Sequence, residues 1–124
     1  MAAHVAWTAL LYVFLTAARA PAVWGFGRRP DGANPWEEVE PRISANLSNQ
    51  FEWPLLFYTA CLLSMQLQAA DQAQVWLAWI FVAGRVFHSL VQILTTNIRL
   101  RGIVFTINFV AALGMWCWLV VRPD

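Results

Sequence analysis

Asn49 and Glu52 stand in one apolar stretch of this sequence, and Arg85, His88 and Gln92 in the next. Hydrocarbon excludes amides, carboxylates, imidazoles and guanidiniums unless they find partners, so each of these side chains needs a reason to be there. Arg42, Asn49 and Glu52 are spaced by seven and three residues, and Arg85, His88, Gln92 and Arg99 by three, four and seven, which puts each set on one face of a helix. Two inward polar stripes can lock a bundle, with Glu52 and Arg85 paired only to make insertion tolerable. They can instead line a polar cavity open to the cytoplasm, or carry protons or ions through Glu52 and His88. The groups outnumber what one ion pair needs, which favours a cavity. The outer halves of the same helices hold no acidic or basic relay, which disfavours a proton path.

The helices that position these stripes follow from composition. Of 124 residues, 60% are hydrophobic and only 12% charged, against about a quarter charged in soluble domains. Apolar spans of about 20 residues fill a chain of this length, so the expected fold is all-α, a single-domain transmembrane four-helix bundle. The spans are expected at 3–24, 41–70, 74–98 and 102–121. The first is too long for the apolar part of a signal peptide and lacks a basic start, so it reads as retained, with Pro21 and Gly25 at its fraying end. Residues 27–40 carry Arg28, Arg29, Asp31, Glu37, Glu38 and Glu40 among glycines and prolines, a loop composition. Pro41 suits a first helical turn, Asp71 and Gln72 make a tight turn, and the third helix continues towards Arg99. Arg122 and Pro123 stop the fourth.

Arg28, Arg29, Arg42, Arg99 and Arg101 fall on one side of this layout and only Arg122 on the other. The positive-inside rule then places both termini outside the cytoplasm, and Trp7, Trp76, Trp79, Trp116 and Trp118 fall near the outer ends as an aromatic belt. With a rise of ~1.5 Å per residue, Glu52 and His88 are level, ten residues from Arg42 and eleven from Arg99. Glu52 is therefore expected against Arg85 or His88, with Asn49 and Gln92 one turn nearer the cytoplasm. A net charge of +1 and dispersed arginines give no reason to expect nucleic acid. Cys61 and Cys117 lie in apolar runs with no second ligand at metal spacing, so they read as buried free thiols and no metal site is expected.

The segment RISANLSNQFEWP, from Arg42 to Pro54, resembles the second-helix signature of the MAPEG family (membrane-associated proteins in eicosanoid and glutathione metabolism), in which an arginine precedes Asn-x-x-Glu and a nearby proline. Asn49 and Glu52 match it directly, and the stretch from Ala83 through Arg85 to His88 is similar to the family's Arg-x-x-His in the third helix. The wording from Asn49 to Tyr58 looks most like bacterial members, so a bacterial inner membrane is the expected location. The resemblance implies a homotrimer with glutathione between subunits near the cytoplasmic face, contacted by Asn49, Glu52 and His88. Arg42, Arg85 and Gln92 join the expected lining, and Arg28 or Arg29 could contribute from the first loop. The activating arginine implied by the resemblance is Arg99 or, as the alternative, Arg101, of which Arg99 has the better phase with the polar stripe. The implied activity is that of a glutathione transferase or peroxidase, whose thiolate attacks a lipophilic electrophile or lipid peroxide arriving from the bilayer. A thiol of pKa about 8.5 must fall by about 1.5 units, or about 2 kcal/mol, to be half ionised at neutral pH, which one partly desolvated guanidinium can supply.

Glutathione-using members usually carry an arginine four residues before the Asn, where this chain has Ala45, and an aromatic hydroxyl four residues after the His, where it has Gln92. Both departures fall on the ligand site. The family also includes a lipid-binding member without enzymatic activity, so the alternative is a non-catalytic membrane lipid-binding or scaffold protein on the same fold.

Overall fold

The computed structural model describes residues 1–121 and folds them into α1 (Ala2–Trp24), α2 (Glu40–Asn49), α3 (Pro54–Gln66), α4 (Gln72–Leu94) and α5 (Ile98–Val121). Among them α1, α4 and α5 are each long and apolar enough to cross a bilayer. The pair α2 and α3, joined by residues 50–53, makes the remaining member of the four-helix bundle. Arg122 and Pro123, expected to stop the last helix, lie outside the described residues.

The break after Asn49 has a local cause. Pro54 has no N–H to give the Gln50 carbonyl, and its ring crowds that oxygen, so the helical ladder lapses. Shorter turns carry the chain across, with Gln50 N–H donating to Leu47 O at 3.0 Å and Leu55 N–H to Glu52 O at 3.2 Å. Pro54 itself falls in the first turn of α3, where a missing N–H costs nothing. The continuous helix expected over 41–70 is thus two helices, and the turn between them carries Glu52 and Trp53. The chain leaves α3 at Gln66, four residues earlier than the expected end at 70, and Asp71 then caps α4 by accepting from Gln74 N–H at 3.0 Å.

The third span also differs from its expected course. α4 ends at Leu94 because Thr95 turns extended (φ −130°, ψ 163°), its hydroxyl donating back to Val91 O at 2.7 Å. The Asn97 side chain accepts from Leu100 N–H at 3.0 Å and so caps a new helix starting at Ile98. Arg99 and Arg101 therefore belong to the start of α5, and the phase that tied Arg99 to the α4 stripe is broken.

α4 packs along α5, α2 packs on α1 and α4, and α3 packs on α4 and α5. Phe57 stacks on Phe81 with centroids 4.3 Å apart, in a core closed by Ala111, Ala112 and Met115, while Leu11, Leu15 and Ala18 meet Ile43 and Leu47 in a second core. Without a hydrophobic drive between helices in lipid, close approach of small residues supplies much of the attraction. At Gly84 that approach is extreme, since a Cβ there would stand 2.0 Å from Asn108 Oδ1. Large apolar side chains such as Leu55, Trp76, Phe87 and Val110 face outward, as a lipid solvent allows. Cys61 is half-buried and Cys117 exposed, so Cys117 is not the buried thiol expected from its apolar run; an apolar run along a membrane helix need not face the protein core. Trp7 and Trp116 likewise turn their N–H groups inward, to Ser89 Oγ and Leu56 O at 3.1 Å each, instead of serving only in a belt.

Candidate functional site

Between α1, α2 and α4 the polar side chains close on one another. Arg85, only 1% exposed, donates through Nε to Gln50 Oε1 at 3.2 Å and through Nη2 to the Asn49 carbonyl at 2.7 Å. The lapse in the helical ladder frees that carbonyl, and Arg85 caps it. Gln50 Oε1 also accepts from His4 Nε2 at 3.0 Å, and the Gln50 amide donates to Asn46 Oδ1 and Ser89 Oγ at 3.2 Å each. The Tyr58 hydroxyl donates to His4 Nδ1, so both nitrogens of this ring are paired and its proton sits on Nε2. Asn46 and Asn49 both donate to Gln92 Oε1, at 3.0 and 3.2 Å. Buried networks of this kind fix one arrangement when their members are satisfied.

Towards α5 the polar groups stay open. Asn49, His88, Gln92, Ile98, Arg101, Gly102 and Phe105 line a cavity of about 440 Å³, within the range of about 300–1,000 Å³ common for small-molecule sites. His88 is 3% exposed, its ring tilted against Phe105 with centroids 6.1 Å apart, and its Nδ1 has no hydrogen-bond partner. Among the described residues the one ion pair is Arg19–Glu40 at 2.7 Å, which ties α1 to α2. No carboxylate among the described residues pairs with Arg101, and the N-terminus of α5 beside it adds the positive end of a helix dipole. The cavity is cationic and rich in amides, suited to a polar anion. Among the described residues no group of three or more His, Cys, Asp or Glu could hold a metal ion.

The structure sorts the residues singled out from sequence. Asn49, His88 and Gln92 come together on the cavity, and Asn49 bonds Gln92 at the depth expected for the pair. Arg101 borders the cavity and Arg99 does not, because Ile98, Arg101 and Phe105 recur at helical spacing from the Asn97 cap and Arg99 falls off that face. Glu52 is exposed on the 50–53 turn and forms no ion pair with Arg85 or His88. Arg85 is held instead by the freed Asn49 carbonyl and by Gln50, and so it belongs to the closed network rather than to the cavity wall. Arg42, partly exposed at the start of α2, also stands outside the lining. Arg28 is engaged at the end of α1, where Nε and Nη2 donate to the Pro21 and Ala22 carbonyls at 2.7 and 3.2 Å, while Arg29 is exposed in the loop.

His4, Asn46, Gln50, Tyr58, Ser89 and Asn108 were not singled out from sequence, although all but Tyr58 are buried. Two of them carried a usable signal, since His4 and Asn108 stand alone in apolar spans, where a polar residue by default has a partner or a task. Asn46 and Gln50 are four apart and share a face that Asn49 flanks, so α2 bears two polar stripes rather than one.

The MAPEG family model matches residues 1–121. No curated protein and no solved structure matches the chain.

Proposed function

The chain belongs to the MAPEG family, and from that premise we propose that it binds glutathione in the cavity between α2, α4 and α5 and holds the sulfur as a thiolate beside Arg101. Family membership and the long apolar helices make it an integral membrane protein, and members of the family generally use glutathione. The observation that carries the proposal is the convergence of Arg101, Asn49, His88 and Gln92 on one cavity with no carboxylate among the described residues paired to Arg101. A guanidinium in a partly desolvated site stabilises a thiolate more than the thiol, which is the differential interaction activation requires. The thiolate would attack a lipophilic electrophile or lipid peroxide that enters from the bilayer, with the protein supplying position and charge.

The site as one chain presents it is half a site. Ala45 and Glu52 are exposed and Asn49 only half-buried on a face of α2 and its following turn that α1 and α4 leave uncovered. The family generally forms trimers, and with Glu52 exposed a neighbouring copy in such a homotrimer would close the cavity and bring Glu52 to the ligand. The positive-inside rule, applied to the arginine-bearing helix ends, supports a cavity opening to the cytoplasm with both termini outside, and the resemblance to bacterial members supports a bacterial inner membrane.

Glutathione titration of the purified protein in detergent, read by thiolate ultraviolet absorbance, tests this directly. Wild type and Arg99→Ala should bind and ionise the thiol, whereas Arg101→Ala should bind with no thiolate signal. A thiolate signal that survives Arg101→Ala, or a wild type that binds no glutathione, sinks the proposal.

A specific observation also supports the non-catalytic reading. Trp7, Leu11, Phe14, Trp36, Ile43 and Leu90 are among the side chains of an apolar groove of about 370 Å³ between α1, α2 and α4. A lipid chain fits such a surface with no reaction. A wild type that retains a fluorescent fatty acid but shows no glutathione binding would favour this second reading.

A further inference from the structure

Asn108 is fully buried on α5, and neither its Nδ2 nor its Oδ1 has a hydrogen-bond partner. A buried amide left unsatisfied costs stability, so a fold that keeps one there needs something to satisfy it. The fold makes a special place for it, because its Oδ1 occupies the space a Cβ at residue 84 would need and only Gly84 permits this. Gly84 and His88 lie one helical turn apart on the same face of α4, a separation of about 5–6 Å between Cβ positions. His88 Nδ1 is likewise buried and without a partner. Two unsatisfied groups thus lie about one turn apart where α4 and α5 face each other, and a buried water typically joins about three otherwise unsatisfied polar groups. A third candidate, the buried and unpartnered Trp53 Nε1, belongs to a ring stacked on Phe109, the neighbour of Asn108, with centroids 4.6 Å apart.

We propose that Asn108 is a positioning residue for His88, acting through one buried water on Nδ1 to hold the ring as its Nε2–H tautomer and so aim a donor at the cavity. Donor and acceptor arithmetic sets the direction. The Asn108 amide brings two N–H groups that have no acceptor, and an unprotonated Nδ1, reached through the water, supplies one. The proton then resides on Nε2, the edge left for the cavity that His88 lines. His4 shows the same principle completed, its tautomer fixed by Tyr58 on one nitrogen and Gln50 on the other. This role rests on the glutathione proposal only for the identity of the ligand that Nε2–H meets.

The test uses the fact that the chain has only two histidines. Protein labelled with ring-¹⁵N histidine in detergent gives long-range proton–nitrogen spectra that report each tautomer, and His88→Gln assigns the remaining signals to His4. Wild-type His88 should show a protonated Nε2 and an unprotonated Nδ1. Asn108→Leu should lower the ratio of Nε2–H to Nδ1–H forms at least tenfold while His4 is unchanged. Gly84→Ala, which displaces Asn108 but removes no polar group, should lower it in the same direction and decides the matter should Asn108→Leu fail to fold. A wild-type His88 protonated on Nδ1, or a ratio unmoved in the folded variants, overturns the proposal. Glutathione affinity, measured alongside, should fall about tenfold in Asn108→Leu. A wild type that binds no glutathione while the tautomer responds as expected leaves this role standing and removes only the ligand assignment.

Discussion

α4 carries two polar surfaces that differ in one respect. On the side of α1 and α2, Arg85, Ser89, Gln50, Asn46 and His4 satisfy one another in a closed network. On the side of α5, His88 Nδ1 and both ends of Asn108 have no partner, and Arg101 faces a cavity without a counter-ion among the described residues. Both surfaces descend from one periodic stripe, and sequence spacing cannot separate them. A saturated surface can only hold the bundle together. An unsaturated one has donors and charge left for something else, and that difference, rather than polarity as such, marks the functional half.

The largest effect should come from breaking the saturated side. Arg85→Leu strips the Asn49 carbonyl of its donor, and one orphaned buried acceptor together with the lost charged bonds should cost about 3 kcal/mol. Unfolding in mixed micelles with rising dodecyl sulfate, followed by circular dichroism, gives the comparison. A stability within experimental error of wild type would show that the network is not what holds the helices. Glu52→Gln probes the ligand side and should move the same unfolding curve little, because Glu52 is exposed and its charge acts on Arg85 only at a distance, without a direct ion pair. Its expected consequence is a glutathione affinity about tenfold weaker, equivalent to about 1.4 kcal/mol. Were the unfolding curve to shift instead, Glu52 would belong with Arg85 and the division between the two surfaces would be misplaced.

The helical membrane bundle and the family were readable from sequence because both depend on composition and on motifs carried by contiguous residues. The relative level of the two stripes was readable too, since the rise along antiparallel helices sets Asn49 beside Gln92. What failed was phase across a break. The expected pairing of Glu52 with Arg85, and the preference for Arg99, both assumed a ladder running unbroken through Pro54 and through residues 95–97, yet each interruption has its own local signal. Pro54 cannot donate in a helix interior, and Asn97 is a good cap for a new one. Arg28 shows a different limit. The resemblance makes it a candidate ligand contact from the first loop, but the carbonyls at the end of α1 engage it in the chain, as basic side chains near helix C-termini often do.

Gln92 belongs to both surfaces and offers the finest test of where one ends. Its Oε1 accepts from Asn46, inside the closed network, and from Asn49, on the cavity wall, while its side chain also lines the cavity. Gln92→Leu removes that shared acceptor and nothing else of comparable strength. The two amides should then cost about 1 kcal/mol in stability, less than Arg85 because each can turn to another partner. Asn49, no longer held, should present its amide to a ligand less consistently, and glutathione affinity should drop about threefold, or about 0.7 kcal/mol. A loss of stability alone would assign Gln92 wholly to the lock, and a loss of affinity alone would assign it wholly to the site. Only a change in both, each small, fits a side chain that couples the orientation of Asn49 to the network behind it, and a double variant with Asn46→Leu measures that coupling as the departure from additivity.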